Sequence, residues 1–199
     1  LLLLALEAAH QRGRLSTEDL SDHLSALRAL PVALNAALDL SGSIKLAARK
    51  LSESTDVLFL GRGLMYPLAL EGALKLKEIS YIHAEAYASG ELKHGPIALI
   101  DKTMPVVVMA PRDALFDKTV SNMQEVMARG GKVMLITDSE GAAEASDQTW
   151  EVIVMPRVDA VLTPILYALP AQLLAYHTAV AKGTDVDQPR NLAKSVTVE

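Results

Sequence analysis

Four short apolar runs constrain the fold of this chain more than any other feature. They fall at residues 56–61 (Asp-Val-Leu-Phe-Leu-Gly), 105–110, 132–137 and 150–155, and helix-patterned stretches separate most of them. Runs this short, apolar at consecutive positions, suit strands buried on both faces, as in a parallel sheet. Strands alternating with helices of ten or more residues predict a doubly wound α/β domain.

The intervening segments carry their own punctuation. Residues 1–12 read as the end of a buried helix, broken by Gly13-Arg14-Leu15-Ser16; Ser16 then caps a second helix reaching about Leu30. Pro31 opens a further helical stretch through Ala37, and 44–51 is another. Helices are also expected over 66–79, over 113–129 (closed by Gly130-Gly131) and over 163–182, with a short extended piece at 84–87. Pro170 should kink the last helix. The tail after Gly183 has no periodicity, but Val186, Leu192, Ala193, Val196 and Val198 make it more apolar than a typical disordered end, so it should dock.

Composition narrows the function. At 199 residues and half apolar, the chain suffices for one substantial domain with some chain to spare. A net charge of −5 with interspersed signs argues against nucleic acid, which needs a clustered basic face. The unbroken apolar runs fall well short of the ~20 residues that span a bilayer, and the opening leucines lack the basic region of a signal peptide. Without cysteine there is no disulfide framework, thiolate nucleophile or Cys-based metal site. A cytoplasmic setting is expected. The chain begins without Met inside a helix-like run, so an upstream segment is expected as well.

Ligands of open α/β sheets bind beyond the carboxyl ends of the strands, which places Gly61-Arg62-Gly63 and Thr137-Asp138-Ser139 near the expected site edge. Neither is a strong phosphate signature. Glu71, Lys75 and Glu78, spaced by four and three, share a helix face. The ordinary reading is surface ion pairs of about 0.3–0.5 kcal/mol each. The chemical reading is a carboxylate base in a cleft, its pKa set by desolvation against the lysine. His94 lies in a loop before Gly95-Pro96, where a histidine is either solvated or catalytic. His83 and Glu85 match no metal-ligand spacing, so no metal is expected. Lys194 is either a solvated tail charge or, once docked and desolvated, a Schiff-base nucleophile.

Gly61-Arg62-Gly63, the unbroken run 69–101 and the closing stretch 182–199 resemble one family: the C-terminal part of glutamine–fructose-6-phosphate aminotransferases (isomerizing), the glucosamine-6-phosphate synthases. The resemblance covers most of 55–199 and is loose over 1–50. It implies a SIS (sugar isomerase) domain: three layers, with a flavodoxin- or Rossmann-like five-stranded parallel sheet flanked by helices. Residues 1–45 would end a preceding SIS domain and linker, 46–183 form a second SIS domain, and 184–199 be a docked tail closing the active site. In that family fructose 6-phosphate is opened, aminated at C2 by ammonia from a glutaminase domain, and isomerised to glucosamine 6-phosphate, without metal or organic cofactor. Carried over by position, Glu78 is the base between C1 and C2 and Lys75 assists it. His94 opens the ring from the neighbouring subunit of a homodimer, Lys194 forms the Schiff base and Ala193 lies beside the sugar. The family's glutaminase cysteine and Ser-Gly-Glu-Thr type phosphate loop have no counterpart in these residues, so weak sugar binding and slow or no turnover are expected of the chain by itself. Two alternatives remain on the same fold: a phosphosugar-binding regulatory module without turnover, and a glutaminase-free sugar-phosphate deaminase.

Overall fold

The computed structural model describes residues 1–192. Helices α1 (Leu2–Gln11), α2 (Thr17–Leu38) and α3 (Ser41–Leu51) precede strand β1 (Asp56–Gly61) and helix α4 (Met65–Ser80). Next come β2 (His83–Ala88), short 3-10 turns at Ser89–His94 and Pro96–Leu99, β3 (Pro105–Met109) and α5 (Phe116–Met127). The chain continues with β4 (Lys132–Asp138), α6 (Ser139–Ala145), β5 (Glu151–Met155) and α7 (Thr163–Lys182). All five strands are parallel in the order β2-β1-β3-β4-β5, and helices cover both faces. The expected three-layer architecture is therefore present.

The period of two along each strand divides the core. Val57 and Phe59 of β1 join Val107 of β3 beneath α3, α4 and α7, with Leu51, Leu76, Tyr167 and Leu174. Leu58 and Leu60 alternate onto the other face with Val106 and Val108, under Phe116, Met123 and Val126 of α5. Each such side chain contributes about 1.5–3 kcal/mol by leaving water. Both faces being covered is why these strands read as continuous apolar runs.

Two glycines set the seat of α4. A Cβ on Gly61 would lie 2.2 Å from the Met65 carbonyl oxygen, so only glycine lets β1 turn this tightly into the helix. A Cβ on Gly72 would lie 2.9 Å from the buried Phe59 ring, so α4 rests directly on the sheet. Its inner stripe is Ala69, Ala73 and Leu76, leaving Glu71, Lys75 and Glu78 half-exposed.

Several local expectations are corrected. Pro31 does not open a new helix: α2 runs through it, and its exposed position lets solvent take the hydrogen bond the ring cannot make. Helix α7 spans the expected Thr163–Lys182, with Pro170 buried inside it. Helix α6 was not anticipated, since Ser-Glu-Gly-Ala-Ala-Glu-Ala has no bulky apolar residue to mark a face. Asp138 starts it by accepting the Glu140 and Gly141 backbone N–H groups. Ile44 of helix α3 is fully buried in the core. Segment Ala160–Lys182, which contains α7, is long and apolar enough to cross a bilayer. In this fold α7 is a core helix, with Leu166, Tyr167, Leu174 and Ala179 buried.

Candidate active site

Helix α4 runs antiparallel to the strands, so its last turn returns to the amino edge of the sheet. That turn carries Glu78, and the helix ends at Tyr81 with φ of 62°, a left-handed cap usually given to glycine. The chain then enters β2 at His83. Glu78, Tyr81, His83 and Lys77 line a cavity of about 610 Å³ with Arg190, Asn191 and Leu192 of the tail. This cavity lies at the amino end of β2. A smaller cavity of about 300 Å³, lined by Asp113, Asp138 and Tyr167 among others, occupies the carboxyl ends of β3, β4 and β5.

Lys75 does not line the larger cavity; it braces Glu78 from one turn back. Its ammonium donates to Glu78 Oε2 at 2.8 Å and sits 4.0 Å from Glu71 Oε1. The bond to Glu78 raises the lysine above its ordinary pKa, burial opposing this more weakly. Lys75 is therefore a cation at neutral pH, fit to orient and hold a carboxylate and unfit to act as a base.

The described part of the tail docks, but through polar contacts and not through the apolar residues that suggested it: Leu192 is exposed. Thr184 donates to the Ile79 carbonyl at 2.6 Å, and Asp185 turns the chain by accepting the backbone N–H groups of Asp187 and Gln188. Arg190 then meets Tyr81 twice. Its backbone N–H donates to the Tyr81 hydroxyl at 2.9 Å, and its guanidinium carbon lies 4.1 Å from the ring centroid. Ala193 and Lys194 lie outside the described residues.

His94 stands elsewhere. It ends the 3-10 turn after the carboxyl end of β2, exposed, with Nδ1 2.7 Å from Glu91 Oε2. His83, at the other end of that strand, opens onto the Glu78 cavity. The strand between them has six residues, roughly 3.3 Å apart along the axis, so about 17 Å separates its ends. One copy of the chain does not bring His94 and Glu78 together. Among the described residues, no group of three or more histidines and carboxylates is arranged to hold a metal ion.

Sequence reading missed three features here. Tyr81, Lys77 and Arg190 line the cavity. Along one side of β2, His83 Nε2 lies 3.3 Å from Glu85, whose other oxygen accepts from Tyr87 at 2.5 Å. The Tyr87 bond, then His83, holds the Glu85 carboxyl below its usual pKa, and the same bond raises the Tyr87 phenol. The alternation His-x-Glu-x-Tyr was the available signal, because alternate strand residues share a side.

Against this geometry, the sequence profile of the SIS domain matches residues 50–182. The chain belongs to the SIS domain family. Over 98% of its length, this SIS-domain chain is 63% identical to glutamine–fructose-6-phosphate aminotransferase [isomerizing] from Bradyrhizobium diazoefficiens. It spans about a third of the length of such curated relatives, 32% for that one. The C-terminal domain of glucosamine-fructose-6-phosphate aminotransferase from Francisella tularensis superposes with a TM-score of 0.91 at 45% identity. That match covers 94% of this chain and 52% of the other. Glucosamine-6-phosphate deaminase from Thermotoga maritima superposes less closely, with a TM-score of 0.67 at 25% identity, over 96% of this SIS chain and 53% of that one.

Proposed function

We propose that this chain is the isomerase part of a glutamine-dependent amidotransferase that converts fructose 6-phosphate to glucosamine 6-phosphate, a step of amino-sugar synthesis. The observation that carries it is the Glu78 cavity: a carboxylate braced by Lys75 faces the tail two residues before Ala193 and three before Lys194 describe its continuation in sequence. In this reading the Lys194 amine attacks C2 of the opened sugar and water leaves, giving an iminium. Ammonia from a glutaminase domain of the longer protein replaces the lysine. Glu78 removes a proton from C1 and returns one to C2, yielding the amino aldose. Lys75 stays charged and holds the Glu78 carboxyl in place, and Ala193 flanks the sugar.

His94 opens the ring in the site of a partner copy. Its position at the far end of β2 from Glu78 supports a homodimer with shared sites. The division at 1–45, 46–183 and 184–199 and a cytoplasmic setting belong to the same proposal. The chemistry calls for no metal or organic cofactor. The higher identity and closer superposition of the aminotransferase domain favour this reading over the deaminase.

The test is isomerisation of fructose 6-phosphate with ammonia as nitrogen donor, comparing the protein with Glu78→Gln. General-base catalysis is worth about 10²–10⁴-fold, and a loss in that range is expected with substrate binding retained. Equal rates for the two proteins would exclude Glu78 as the base.

A further inference from the structure

Tyr81 occupies a backbone conformation that a bulky side chain rarely adopts, at a helix end where glycine is the easy choice. Its half-buried side chain makes two contacts that glycine could not, both with Arg190, 109 residues away in sequence. The hydroxyl accepts the Arg190 backbone N–H, and the ring lies under the Arg190 guanidinium at 4.1 Å. Tyr81 also lines the Glu78 cavity, three residues beyond the carboxylate, while Arg190 begins the opposite wall four residues before Lys194.

We infer that Tyr81 is a positioning residue, a latch that fixes the tail at Arg190 and so sets where Lys194 can reach. Backbone and side chain of Arg190 are gripped by one ring, which fixes both the position and the direction of the chain as it leaves. Thr184 supplies a second tie upstream, on the Ile79 carbonyl. The inference deepens the proposed isomerase reading and rests on it for the role of Lys194.

The experiment compares the protein with Tyr81→Gly and Tyr81→Phe. Glycine relieves the left-handed backbone, so thermal stability should hold or rise while the latch is lost; Phe keeps the ring contact and removes the hydroxyl. Two readouts separate the claims. Cleavage after Arg190 by an arginine-specific protease, followed by mass spectrometry of residues 191–199, reads the latch without any chemistry. Tyr81→Gly should lose that segment at least tenfold faster than the parent, with Tyr81→Phe between them. Borohydride trapping of fructose 6-phosphate on Lys194 reads the consequence, and Tyr81→Gly should trap at least tenfold less. Equal cleavage rates overturn the latch. Faster cleavage with undiminished trapping overturns its role in positioning Lys194. A parent protein that traps nothing on Lys194 overturns the Schiff-base reading, and with it that positioning role, while the cleavage rates still decide whether the tie exists.

Discussion

Lys75 and Glu78 define the proposed chemistry through one contact. Lys75 gains a proton affinity above its usual range from the bond to Glu78, so it titrates only in the alkaline range and remains a cation at neutral pH. Its ammonium holds the Glu78 carboxyl in place at 2.8 Å. Lys75→Met removes that tie, so kcat is expected to fall by up to about 10²-fold through misplacement of the base while the fold persists. An unchanged kcat would mean that Lys75 does not position the base. These two residues were legible because spacing of three puts them one turn apart on any helix. Tyr81 was not, since neither its left-handed backbone nor its bond to Arg190 leaves a local sequence signal.

Helix α4 is the element that carries this pair to the cavity, and its position depends on the contact between Gly72 and Phe59. Ala in place of Gly in a helix interior is ordinarily stabilising by about 1 kcal/mol. A Cβ at 2.9 Å from a fully buried ring instead lifts the helix off the sheet, an overpacking cost of about 1–3 kcal/mol. Gly72→Ala is therefore expected to lower the melting temperature and to reduce activity by displacing Glu78; a more stable, fully active variant would show that the helix seat is soft. At this scale β1, β3, β4 and β5 were legible from their unbroken apolar runs, as were α4 and α7 from their patterning, while β2 showed only as a short extended piece. The 3-10 turns at Ser89–His94 and Pro96–Leu99 were not, because they replace a crossover helix with tight turns that bury a single apolar residue, Leu92, beside Ser89. The continuity of α2 through Pro31 depended on solvent exposure, which composition does not reveal.

Across the whole molecule, the sheet separates the groups the chemistry would use. Glu78 and the tail meet at the amino end of β2, and His94 stands past its carboxyl end, so the proposed site is completed by a second copy of the chain. Exposed Leu64, Leu70, Leu74, Ile165, Tyr176 and Val180 leave apolar surface on α4, α7 and the turn before α4. The carboxyl-edge rule for open sheets points to the smaller cavity beside Asp138, because it describes where strands deliver loops; a return helix such as α4 delivers its last turn to the opposite edge. The order of the strands was not legible in any run, because pairing is long-range. The most direct measurement is borohydride reduction of the protein with fructose 6-phosphate at high concentration, followed by peptide mapping. The account predicts one sugar phosphate adduct, on Lys194, abolished in Lys194→Ala and retained in Glu78→Gln. An adduct elsewhere, or none, would contradict it.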